Sequence, residues 1–173
     1  MIEDVPVIET ERLILRGPEE LDFDAFAAFS ASERAKWIGG PFPRDRAWGG
    51  FLNTFGHWAL RGYGMWMLEH RASGATAGRV GMIFNDGWDE PELGWHVFDG
   101  FEGQGLAYEA ALAARAYAAR HQGLDAVISY IVPDNTRLAA LAARLGAVIE
   151  RDGTVMGHAC KVWRHPRVAE AAA

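Results

Sequence analysis

Arg12-Leu-Ile-Leu-Arg16 is a short β-prone run, and after it Leu21, Phe23, Phe26 and Phe29 recur at helical spacing. Pro18-Glu19-Glu20 suits the first turn of that helix, because Pro tolerates N1 and acids favour the positive dipole end. Gly39-Gly40-Pro41-Phe42-Pro43 breaks the pattern, and a second helix is predicted over 44–60. Gly62-Tyr63-Gly64 opens a strand over 65–69, and Ser73-Gly74 turns it into an antiparallel strand over 77–84. The loop 85–91 leads to a further strand over 92–98. Residues 106–121 contain eight alanines, the best helix former, and predict a long helix. The β-branched run 126–132 predicts a strand, and 135–145 an Ala-rich helix closed by Gly146. Strands at 148–149 and 159–163 complete the pattern, and 165–173 reads as a frayed tail. The order βααβββαβαββ predicts the α/β (α+β) class, a mixed sheet with helices on it. With no repeat or linker, 1–173 reads as one domain whose core spans about residues 8–163.

Composition narrows the function. At 173 residues and 50% hydrophobic, the chain has enough apolar surface for one core. Lys plus Arg 17 against Asp plus Glu 23 gives −6, which argues against a nucleic-acid partner. No apolar run approaches the roughly 20 residues that cross a bilayer. Cys160 is the single cysteine, and the N-terminus has neither a basic nor an apolar leader region, so a cytoplasmic protein is expected. His158 and Cys160 share a strand face, but no further ligand pair accompanies them, so no metal is expected. No serine lies in a Gly-x-Ser-x-Gly setting, which argues against an acyl-enzyme.

The stretch from Glu92 to Ala110 carries the chemistry: a strand, a turn with Gly103 and Gly105, and a helix start. Converging backbone N–H groups and the helix N-terminus suit such a turn to a pyrophosphate. It lacks the Gly-Lys-Ser/Thr of a P-loop, and it follows a hairpin rather than opening a parallel dinucleotide-binding unit.

Five segments fall in order: Glu9-Thr-Glu-Arg-Leu-Ile-Leu-Arg16; Gly62-Tyr63-Gly64 with Trp66; Glu92-Leu-Gly-Trp95; Gly103-Gln-Gly-Leu-Ala107 with Glu109-Ala110; and Pro133-Asp-Asn135 through Leu145-Gly146. Together they resemble the GNAT superfamily of acetyl-CoA-dependent N-acetyltransferases, in the branch containing the ribosomal-protein N-terminal acetyltransferases. The resemblance implies a mostly antiparallel sheet in which a bulge near Val97 splays one strand from its neighbour at 126–132. It implies acetyl-CoA as cosubstrate, its pyrophosphate on the backbone of Gly103, Gln104, Gly105, Leu106, Ala107 and Tyr108. Its pantetheine would lie along the strand edge at Val97, with Asn135 contacting it from the next helix.

The same resemblance makes Glu92 the candidate general base, facing a primary amine acceptor: a protein N-terminus, an amino acid or a small amine. The alternative for Glu92 is a solvated strand-end carboxylate. His96 lies on the opposite face from Val97 and reads as a packed histidine. Tyr108 and Tyr130 are candidate proton donors or core aromatics, and Trp37, Phe42, Trp48, Trp58 and Trp88 acceptor-pocket or cover residues, with Trp37 and Trp88 retained as acceptor candidates. Two residues depart from the family pattern: Glu102 stands where Gln or Arg is usual, and Leu138 where Ser is usual. They motivate a second reading, a CoA-binding module of the same fold with weak or no turnover. A homodimer is left open.

Overall fold

The computed structural model describes residues 5–168. Its sheet comprises β1 (Ile8–Glu9), β2 (Leu13–Arg16), β3 (Met65–His70), β4 (Thr76–Ile83), β5 (Glu92–Val97), β6 (Ile128–Ile131), β7 (Val148–Val155) and β8 (His158–Arg164). The spatial order is β1-β2-β3-β4-β5-β6-β8-β7, and every pairing is antiparallel except β5 with β6. Helices α1 (Phe23–Ser30), α2 (Arg44–Arg61), α3 (Leu106–His121) and α4 (Thr136–Arg144) flank it. This is the predicted α/β (α+β) domain with a mixed, mostly antiparallel sheet.

Period-two alternation decides which helix covers which face. Leu13, Leu15, Trp66, Leu68, Val80, Met82, Leu93 and Trp95 share one face, and none is more than 6% exposed. Against them α3 sets Ala110, Ala111, Ala114 and Ala118, whose small side chains bring the helix close to the sheet. On the other face, Phe26 and Phe29 of α1 and Ala47 and Phe51 of α2 pack on Met67 and Phe98. The residues that alternate with the first core, Arg79, Gly81, Glu92, Gly94 and His96, therefore belong to the second face.

Four sequence expectations are corrected. The helix does not start at Pro18: Glu20–Asp22 is a 3₁₀ turn, because the Asp22 carboxylate is drawn to Arg16 and Thr76. A second 3₁₀ segment, Glu33–Ile38, lies in a stretch with no predicted element. The final strands are longer than predicted, since β7 sits at the sheet edge and pairs through its backbone without apolar alternation. Finally, the tail is not loose where it begins. His165 is fully buried, its N–H donates to the Val127 carbonyl at 2.9 Å, and its ring meets Ser129 at 2.9 Å. Residues 169–173, the rest of that predicted tail, lie outside the described residues.

Candidate active site

β5 and β6 are paired at Glu92 and Ile128 and part beyond them, which opens a wedge. Side chains hold its apex: the Ser129 hydroxyl donates to the Leu93 carbonyl at 2.7 Å, and the Tyr130 N–H donates to Glu92 Oε2 at 2.7 Å. The expected bulge is not what splays the strand, since β4 and β5 keep an unbroken register from Gly78 opposite Val97 to Ile83 opposite Glu92. The Phe98 N–H donates to Ala77, so strand alternation turns the N–H of Val97 and Trp95 toward the wedge.

Glu92 is not a solvated strand end. It is half-buried, and burial pushes its carboxyl up to about 8, against the pull of the Tyr130 N–H. Of its two oxygens, Oε2 holds the wedge, while Oε1 lies near the bare α-carbon of Gly94, where an added Cβ would come within 3.7 Å.

At the open end of the wedge, Gly100, Gly103 and Gly105 hold φ of +86°, +71° and +79°, a region L side chains avoid, and Gly105 caps α3. The N–H groups of Gly103, Gln104 and Gly105 donate to no protein acceptor among the described residues, and the first turn of α3 adds further free donors. The turn is anchored from the chain's opening segment. Arg12 donates to the Gln104 carbonyl at 2.6 Å and to Glu109 Oε2 at 2.7 Å, and Thr10 donates to Glu109 Oε1 at 2.6 Å. Arg12 and Glu109 stand in motifs already quoted; what the sequence hides is that they meet.

One cavity of about 920 Å³ joins these parts. It is lined by Glu92, Val97, Gly103, Gly105, Leu106, Ala107, Tyr108, Asn135, Trp37 and Trp88, among others. Gln104 stays at the turn, its side chain donating to Gly100. Asn135 is buried, and its Oδ1 accepts the Leu138 N–H as the N-cap of α4. Tyr130 and Trp88 meet edge to face at 5.3 Å, while the Tyr108 ring lies under the Arg144 guanidinium. His96 is packed, stacked on Phe29 at 5.2 Å. Of the other aromatics, Trp58 belongs to the core, and Phe42 and Trp48 are not in the cavity lining. No helix among the described residues is long and apolar enough to cross a membrane.

A family model, the acetyltransferase (GNAT) domain, matches residues 12–148. The chain belongs to the GNAT acetyltransferases. It is similar to the acetyltransferase from Agrobacterium tumefaciens str. C58, at 33% identity and a TM-score of 0.88 over 96% of this chain and 98% of that one. A GNAT-family acetyltransferase from Bordetella pertussis is 28% identical, with a TM-score of 0.79 over 92% and 99%. In fold alone it is also similar to a ribosomal L7/L12 α-N-protein acetyltransferase solved in complex with coenzyme A, at 16% identity, TM-score 0.73, over 95% and 99%.

Among GNAT acetyltransferases the Glu102 departure now has a physical setting. Its carboxylate pairs with Arg34 at 2.8 Å. Burial would raise the Glu102 pKa, but its own backbone N–H, Arg34, the Gly100 backbone and Arg137 outweigh that and hold it low. A lone carboxylate would repel an anion at the turn; this one is offset by Arg34, which also lines the cavity. Glu102→Gln is expected to leave Arg34 uncompensated and to tighten CoA by up to about tenfold, with the gain shrinking as salt rises. Calorimetric titration at low and high salt checks this; weaker binding at low salt refutes it.

Gly105→Val is expected to weaken CoA binding at least tenfold and to cost about 1–3 kcal/mol of stability, because a β-branched residue at φ +79° is strained. Its Cβ would meet Arg12 Nη2 at 3.5 Å, an ordinary contact, so the strain lies in the backbone. CoA titration beside thermal unfolding reads both effects. Sequence reasoning missed Arg34, Thr54, His57 and Arg79, all of which line the cavity. A polar residue on an otherwise apolar strand, as at Arg79, is the signal that could have found one of them.

Proposed function

We propose that this protein transfers the acetyl group of acetyl-CoA directly to the nitrogen of a primary amine. The carrying observation is that the wedge between β5 and β6, the glycine turn and the Glu92 carboxylate share one cavity. The donor residues fit the cosubstrate: free N–H groups at 103–105 and the start of α3 suit its pyrophosphate, and the open edge at Trp95 and Val97 suits its amide-bearing arm. Asn135 lines the same wedge. Bound there, acetyl-CoA supplies an activated thioester carbonyl. The chain itself holds the amine beside it and takes the ammonium proton on Glu92 Oε1, directly or through one water; as the C–N bond forms the C–S bond breaks, and the second nitrogen proton goes to the departing thiolate, which leaves as the CoA thiol.

The raised Glu92 pKa bears on the kind of amine. An α-ammonium of pKa about 7.7–8.0 matches a base near 8, whereas a lysine ammonium near 10.4 lies about 2.4 units above it, or roughly 3.3 kcal/mol. α-Amines are therefore expected to exceed lysine side chains by about two orders of magnitude in kcat/KM at pH 7. The test is acetyl-CoA consumption over a panel of amines, with mass spectrometry of the products. CoA binding with no acetylated amine would favour the inactive module, and equal rates for both amine types would remove Glu92 as the base.

A further inference from the structure

The cavity face of β4 and β5 carries a second charge that the reaction above does not use. Arg79 lines the cavity, and Nε donates to His96 Nδ1 at 2.8 Å. Nη1 reaches the Thr54 hydroxyl at 3.4 Å, and the guanidinium lies 4.7 Å from the centroid of the Phe26 ring. None of these partners is an anion. His96 is kept neutral, its pKa driven well below the usual value by burial and then by Arg79 and Arg34.

Among the described residues no carboxylate forms an ion pair with Arg79, whereas Arg16 sits on Asp22 and Glu69 and Arg164 on Glu90 and Glu150. Burial lowers the Arg79 pKa to about 10. Of the five N–H donors in a guanidinium, two are used here. A half-buried cation facing a cavity without a counter-ion is costly unless an anion enters.

Strand register fixes where that anion would lie relative to the base. Arg79 is opposite His96, Gly81 opposite Gly94, and Ile83 opposite Glu92. The middle pair brings no side chain to the cavity, and a Cβ at Gly94 would meet Ile83 Cδ1 at 3.4 Å. The strip between Glu92 and Arg79 carries only the ends of the Ile83 and Met65 side chains near Gly94, and about 13 Å of strand rise separates the two rows, so a carboxylate on Arg79 belongs several bonds away from an amine at Glu92. Phe29, Trp37 and Trp88 supply apolar walls to the same cavity.

We infer that the acceptor is an amine that also carries a carboxylate, which the Arg79 guanidinium and the Thr54 hydroxyl bind while the amine faces Glu92. This rests on the amine-acceptor reading above and names its substrate class. A carboxylate takes two guanidinium N–H groups in a fork, a geometry that neither a neutral group nor a second ammonium can use. Polyamines are disfavoured by the same charge.

The test compares amines matched in ammonium pKa, with and without a carboxylate several bonds away: glycylphenylalanine against its C-terminal amide, glycylleucine against its C-terminal amide, and 4-aminobutanoate against propylamine. In the parent, the carboxylate-bearing member of at least one pair is expected to lead by tenfold or more in kcat/KM, and Arg79→Gln to bring that ratio near one. Arg79→Lys, which keeps the charge and loses the fork, should retain part of it and serves if the Gln variant does not fold. Independently of turnover, at least one of the carboxylate-bearing amines should raise the Tm of the parent saturably and leave that of Arg79→Gln unmoved. Equal use of both members of every pair, or a preference that survives Arg79→Gln, overturns the assignment. If no amine is acetylated, the amine-acceptor reading fails, and the thermal shift alone then decides whether Arg79 holds a carboxylate.

Discussion

Glu92→Gln is expected to lower kcat by about 10²–10⁴-fold at pH 7 and to displace the rise in rate upward, to the pH at which the amine loses its proton unaided. The parent needs the ionised carboxylate, and burial makes that form scarce until pH approaches 8, so its rate should rise tenfold per pH unit below that value. The Gln side chain accepts the Tyr130 N–H as the carboxylate does, so the wedge apex is kept while the base is lost. Stability should move the other way. A carboxyl raised from 4.5 to about 8 on folding weakens the fold progressively between those pH values, because the unfolded chain releases the proton first. Access of cavity water limits the cost to a few kcal/mol. Glu92→Gln should therefore melt near the parent below pH 4.5 and above it at pH 8. Rates from pH 6 to 9.5 together with melting at pH 4 and pH 8 check the pair of effects; a pH profile that ignores the mutation would exclude Glu92 as the base.

Elements whose burial follows a simple period were legible in the sequence. The alanine face of α3 and the alternation of Leu93 and Trp95 with Glu92, Gly94 and His96 are of this kind, because each position is buried or open according to its face. The longer β7 was not, since an edge strand pairs through backbone groups that every sequence possesses. His165 was not either: its burial depends on Ser129, Arg115 and Val127, which lie 36 to 50 residues away in sequence. The glycine turn at 103–105 and the start of α3 rest on a contiguous motif and could be read from it. The proposed acceptor side is assembled from single polar residues on separate elements: Arg79 interrupts an apolar stretch of β4 and is marked locally, whereas Thr54 on α2 is marked by no local pattern.

The loss of Asp22 should have the largest effect on stability, and through stability on the acceptor wall. Asp22 is 1% exposed; it accepts both Nη groups of Arg16 at 2.9 Å, the Thr76 hydroxyl at 2.6 Å and the Glu19 N–H at 2.8 Å. Burial alone would raise its pKa, but Arg16, Thr76 and Glu19 hold it below the usual 3.8. Removing one partner of a buried pair costs about 3–5 kcal/mol, and Glu69 keeps Arg16 from being left alone, so the lower end applies. Asp22→Ala should lower Tm by about 6–12 °C at pH 7. A depressed carboxyl stabilises above its unfolded pKa, so this difference should persist down to about pH 4 and shrink as pH falls through the folded value. Thr76→Val, which removes one hydrogen bond, should cost only about 1 kcal/mol. Because Asp22 leads directly into α1, whose Phe26 and Phe29 pack beside Arg79 and His96, Asp22→Ala should also raise the KM for the acceptor more than that for acetyl-CoA. Equal melting of variant and parent at pH 7 would show that the pair only balances its own desolvation, and an unchanged acceptor KM would uncouple α1 from the acceptor site.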